Sequence, residues 1–142
     1  MGTQQILLIV LSVIIVGAAI AVGITMFNNQ SYASNKSSIA ADAQNFASQI
    51  VQYYKTPASQ GGADRNAANM TAANIGSFIG WGGTTTTNEN GSFTVGTWAA
   101  ADSSVTVTGK GKEVKNNKAP QIATKVKFPS GTITATASDV AP

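Results

Sequence analysis

The sequence predicts an α+β chain in which one long N-terminal helix packs on a small antiparallel sheet of about four strands. Two observations carry this. Of the first 27 residues, 19 are apolar, and the first charged side chain is Lys36. From about Gly91 the spacing of apolar residues changes from helical to alternating, the signature of strands with one buried face. Charged residues make up only 11% of the 142, less than half the roughly 25% of an ordinary soluble domain.

The first segment, 1–27, is the apolar half of the helix. From Ile6 to Ile24 only small or weakly polar residues interrupt a run of Ile, Leu and Val. A helix of that length spans roughly 28 Å, close to the hydrocarbon thickness of a bilayer. A cleavable secretory signal would have a basic leader and a shorter apolar core. Here Met1-Gly2-Thr3-Gln4-Gln5 carries no charge. That stretch also offers no Lys or Arg to orient a plain single-pass anchor.

The second segment, 28–54, continues the same helix. No proline occurs before Pro57, and Ile39, Ala43, Phe46, Ala47, Ile50, Val51 and Tyr54 fall along one stripe. Lys36, Ser38, Asp42, Asn45, Gln49 and Gln52 take the other face. Gly17 and Gly23 are the weak points, each costing roughly 1 kcal/mol relative to Ala. They mark places where the helix bends or where another helix approaches closely, or else the higher glycine content of membrane helices.

Residues 55–90 form a connection rich in Gly, Ala, Asn and Thr, with a short helix expected over Ala63–Phe78 that turns Ala67, Met70, Ala73 and Ile75 inward. Residues 91–142 hold the sheet. Phe93/Val95, Val105/Val107, Ile122/Val126/Phe128 and Ile133/Ala135/Ala137 alternate with Thr, Ser or Lys. Asn90-Gly91 and Phe128-Pro129-Ser130-Gly131 supply turns. Apart from alanine, the apolar content after residue 27 is small. Such a core is marginal alone and gains by packing on the long helix or on neighbouring copies.

A short polar N-terminus, about twenty apolar residues, an amphipathic continuation and then a small antiparallel sheet resemble a mature type IV pilin. The resemblance implies a chain whose basic leader is removed by a prepilin peptidase, leaving Met1 as the methylated terminus. A frame beginning at Thr3 fits the family's spacing less well. It further implies residence in the inner membrane before assembly, then polymerisation with copies of itself into an extracellular filament, helped by pilus assembly machinery. Such filaments serve attachment, motility or DNA uptake. Two positions depart from the family. Its usual glutamate at the fifth position is Gln5 here, and its common proline in the apolar segment is absent. Gln5 accepts a hydrogen bond from a terminal amine but cannot cancel its charge, so Gln4 and Gln5 are the expected polar contacts of the filament core. The disulfide that closes the C-terminal loop of many pilins is missing as well.

With no cysteine and no histidine, the sequence excludes a disulfide framework, His- or Cys-ligated zinc, iron–sulfur or haem ligation through those residues, a thiol nucleophile and a Ser-His-Asp triad. The six carboxylates, Asp42, Asp64, Glu89, Asp102, Glu113 and Asp139, are scattered. They give no paired acid/base site and no calcium cage. The chain is therefore expected to be no enzyme, with neither cofactor nor metal. The missing calcium loop also weakens the neighbouring reading, a pseudopilin of a secretion system.

Six of the nine basic residues, Lys110, Lys112, Lys115, Lys118, Lys125 and Lys127, lie in one stretch. They read either as a stripe for nucleic acid or another anionic surface, or as a solvated edge that discourages sheet aggregation; the second is the commoner meaning. Asn29, Asn35, Asn69 and Asn90 open N-x-S/T sequons, compatible with glycosylation but expected by chance in a chain so rich in Asn, Ser and Thr. The rival from a different class is a monomeric membrane-anchored module that displays the sheet domain for binding outside the cell.

Overall fold

The structure, a computed structural model, describes residues 2–142. Helix α1 runs unbroken over Gly2–Lys55, 54 residues, or about 80 Å. It ends where Pro57 makes continuation impossible. From Gly2 to Gln30 every residue is exposed. Between Ile6 and Phe27 the two polar side chains, Ser12 and Thr25, are satisfied by their own helix. Ser12 Oγ donates to the Leu8 or Ile9 carbonyl, each at 2.9 Å, and Thr25 Oγ1 donates to Ala21 at 3.0 Å. From Ile6 to Phe27 the helix therefore presents neither a charged side chain nor an unmet hydroxyl to its surroundings.

The second half of α1 closes the core. Ile39, Ala43, Ala47, Ile50 and Tyr53 are buried, with Phe46, Val51 and Tyr54 packed at the margins. Tyr53 rather than Tyr54 completes the buried stripe, because its hydroxyl reaches the Asn69 carbonyl at 2.9 Å and so can be buried without an unmet polar group.

The single short helix expected over Ala63–Phe78 is replaced by three pieces. These are 3-10 turns at Ala58–Gln60 and Ala67–Asn69, then helix α2 over Ala72–Phe78. Asp64 and Arg65 sit at φ 51° and 58°, a conformation that cannot begin a right-handed helix. The helix starts instead at Thr71, whose hydroxyl accepts from the Asn74 N–H at 3.2 Å. The change of phase buries Ala63, Met70, Ala72 and Ile75 and leaves Ala67 and Ala73 exposed, against expectation.

The sheet has five strands rather than about four. They are β1 Thr85–Thr87, β2 Gly91–Val95, β3 Ser104–Gly111, β4 Ala119–Lys127 and β5 Thr132–Val140. All are antiparallel and in sequence order. Phe93, Val95, Val105, Val107, Ile122, Thr124 and Val126 face α1 and are buried. Gly109 is required beneath Phe93, since a Cβ there would stand 2.7 Å from the Phe93 ring. That ring meets Phe46 edge-on at 5.1 Å between centroids, and Phe46 in turn meets Trp81 at 4.9 Å.

One expectation about the sheet fails. Ile133, Ala135 and Ala137 pair with Val126, Thr124 and Ile122 and so share their face, but all three are exposed. A helix about 10 Å across covers two strands spaced about 4.8 Å apart, here β3 and β4, and β5 lies outside its shadow.

Candidate functional site

The domain has two poles along α1. At the near pole, next to the apolar half of the helix, Asn35 Nδ2 donates to the Asn90 carbonyl at 2.7 Å, and Asn35 Oδ1 accepts from the Glu113 N–H at 3.4 Å. At the far pole Tyr54 packs on Phe128, with ring centroids 4.4 Å apart, and Trp98 stacks on the same ring at 5.7 Å. Strand β4 therefore runs in the same direction as α1, and β3 and β5 run against it.

Three polar clamps fasten the near half of the domain to the helix. Asp42 Oδ2 accepts from Asn88 Nδ2 at 2.9 Å and from Asn90 Nδ2 at 2.8 Å. The loop that delivers these amides is an Asx turn, in which Asn88 Oδ1 accepts from the N–H groups of Asn90 and Gly91. The second clamp is the Asn35 pair above. In the third, Tyr32 Oη donates to Asp139 Oδ1 at 2.5 Å, and Lys36 Nζ lies 3.5 Å from the same oxygen. Desolvation, reinforced by the bond to Asp139, pushes the Tyr32 hydroxyl up to about 12. The Tyr32 hydrogen bond, with the charge of Lys36, holds the Asp139 carboxyl below its usual range. Thus Lys36 and Asp42, assigned by the sequence to the face opposite the apolar stripe, both tie α1 to the sheet domain.

The six lysines fall into two groups. Lys112, Lys115 and Lys118 lie in the turn between β3 and β4 at the near pole, with Lys110 at the end of β3. Lys125 and Lys127 sit toward the other end of β4, since Lys127 pairs with Ser104 while Lys110 pairs with Gln121. Lys125 Nζ is 2.6 Å from Asp102 Oδ2, a surface ion pair that holds the Asp102 carboxyl below its usual range. No single stripe runs through all six.

Three of the four sequon asparagines have their side-chain amides engaged within the fold. Asn35 and Asn90 do so as described, and Asn69 Nδ2 donates to the Ala63 carbonyl at 3.3 Å. Asn29 is exposed on the helix.

In the apolar half, α1 passes helically through both Gly17 and Gly23, and a Cβ added at either would stand in open space. Gly17 opens a shallow notch edged by Ser12, Val13, Val16 and Ile20. Gln4 and Gln5 are exposed on the first turns of the helix, and Met1 lies outside the described residues.

Sequence reasoning missed Tyr32, Asn88 and Asp139. The spacing around Asn88-Glu89-Asn90-Gly91 does carry an Asx-turn signal. Tyr32 and Asp139 are 107 residues apart, and only the fold brings them together. A scan against protein-family models, a search of curated proteins and a search of solved structures return no match for this chain.

Proposed function

We propose that this chain is the structural subunit of an extracellular filament of the type IV pilus kind, polymerised through the apolar half of α1. One observation carries the reading. The sheet domain's buried cluster begins at Ile39, while the helix extends unbroken for more than 30 residues before it, with large apolar side chains such as Leu7, Ile14 and Phe27 more than 60% exposed. From Ile6 to Phe27 that surface adds nothing to the buried core of its own domain and is apolar all round, as a helix must be when it is surrounded by lipid or by identical helices. The long N-terminal helix on an antiparallel sheet is a pilin-like architecture.

Growth of such a filament moves the apolar half from bilayer to helix bundle, between two surroundings of similar polarity. Little hydrophobic free energy is then lost, and close packing at small residues such as Gly17 favours the bundle. Gln4 and Gln5 supply the polar contacts at its base.

Val13→Asp tests the proposal, because Val13 is 66% exposed and touches no part of the sheet domain's core. A carboxylate there costs about 3 kcal/mol in an apolar bundle or bilayer. The variant should unfold at the wild-type temperature and leave the cell surface bare of filaments. Filaments built from the variant at wild-type abundance would contradict the assembly surface.

A further inference from the structure

We propose that the hairpin tip between β3 and β4 is a contact for anionic phospholipid headgroups, which seats the sheet domain on the bilayer surface while the subunit is still membrane-held. The inference rests on the membrane stage of the function proposed above. It concerns Lys115-Asn116-Asn117-Lys118, which the filament reading does not use.

The tip is a tight two-residue turn. Asn116 and Asn117 take φ 52° and 58°, the left-handed pair that asparagine tolerates in a hairpin of this kind. Lys115 and Lys118 exchange both backbone hydrogen bonds across it, at 2.9 and 3.0 Å. Two like charges are thereby placed directly opposite one another, an arrangement unfavourable for the hairpin itself. In a chain with so few charges this pair is unexplained by folding. Two ammonium groups carried by one turn are suited to meet phosphate oxygens together.

Position identifies the anion. The tip shares a surface hollow with Tyr32 and Asp139, so it stands level with Tyr32, five residues beyond Phe27, where the apolar half ends. Five residues of helix rise about 7.5 Å, and a headgroup layer is roughly 5–8 Å thick. With the apolar half in the hydrocarbon, Lys115 and Lys118 therefore lie at the outer margin of the headgroups, where lysine side chains reach inward. Of the acids nearby, Asp139 shares the hollow and interacts with the charge of Lys118. Asp139 is engaged by Tyr32 and Lys36, and Glu89 and Glu113 line a different hollow with Phe27, Gln30 and Ser34.

The full chain, reconstituted into phosphatidylcholine vesicles with or without phosphatidylglycerol, is exposed briefly to a water-soluble amine-acylating reagent and read lysine by lysine in a mass spectrometer. Phosphatidylglycerol should lower modification of Lys115 and Lys118 about fivefold, the factor expected of one lysine at an anionic surface. Lys55 and Lys127 at the far pole should not change. The variant pairing Lys115→Gln with Lys118→Gln should unfold no earlier than wild type and lose the lipid-dependent protection of neighbouring Lys112. No protection at the tip, or equal protection at both poles, overturns the proposal. So does protection by duplex DNA, added to phosphatidylcholine vesicles, that equals or exceeds the effect of phosphatidylglycerol. Flotation separates the two claims. Protein that fails to float contradicts the membrane stage and this proposal together, and protein that floats with an unprotected tip overturns this proposal alone.

Discussion

Single side chains set how firmly the domain holds its helix. Thr124 is fully buried on the inner face of β4, and its hydroxyl has no hydrogen-bond partner among the described residues. A buried unmet hydroxyl costs about 1–3 kcal/mol, so Thr124→Val should raise stability by about 1 kcal/mol, read as a higher midpoint in thermal unfolding. The clamp at Asp139 makes a prediction about pH. A carboxyl whose folded value is lowered adds stability that is present above its ordinary value near 3.8 and is lost as pH falls through the lowered value. A tyrosine raised from 10.0 to about 12 adds stability that is present below pH 10 and is lost as pH climbs between the two. Tyr32→Phe should therefore flatten the alkaline decline in unfolding midpoint and weaken the acid one, checked by thermal melts across the pH range. Neither clamp residue was legible in the sequence, because the pairing spans 107 positions and depends on where β5 ends against the helix.

At the scale of elements, α1 is two helices in one. Its second half is part of the domain core, and Ile50→Ala, at a fully buried position, should cost about 3 kcal/mol in denaturant unfolding. Its first half contributes nothing to that core, so removal of residues 2–27 should leave the unfolding midpoint of the rest within about 0.5 kcal/mol of the parent, the range of surface changes. A midpoint shifted by several times that amount would mean that the halves support one another. The helix was legible because proline is absent up to Pro57 and the stripe from Ile39 to Tyr54 is regular. Strand β1 was not, since Thr85–Thr87 has no alternation and is a strand only by pairing with β2. The exposure of β5 was equally hidden. Ile133, Ala135 and Ala137 alternate as a buried strand would, and a sheet wider than its single helix leaves them uncovered. The lysine run divides in space for a related reason. Neighbours in sequence are carried to opposite poles by an antiparallel strand of nine residues.

For the whole molecule, the decisive contrast is between a domain whose buried core begins only at Ile39 of its helix and an apolar half of that helix left exposed on every side. An apolar rod of this length has two stable surroundings, a bilayer and a bundle of its own kind, and a filament subunit uses them in turn. The absence of cysteine leaves β5 held by its ladder with β4 and by the Tyr32–Asp139 clamp. Immunoelectron microscopy of material sheared from cells that make this protein tests the central claim most directly, using an antibody raised against the sheet domain. Label along the whole length of thin filaments is the predicted result. Label confined to the cell envelope, with unlabelled filaments or none in the sheared fraction, would contradict the account and leave a monomeric membrane-anchored module in its place.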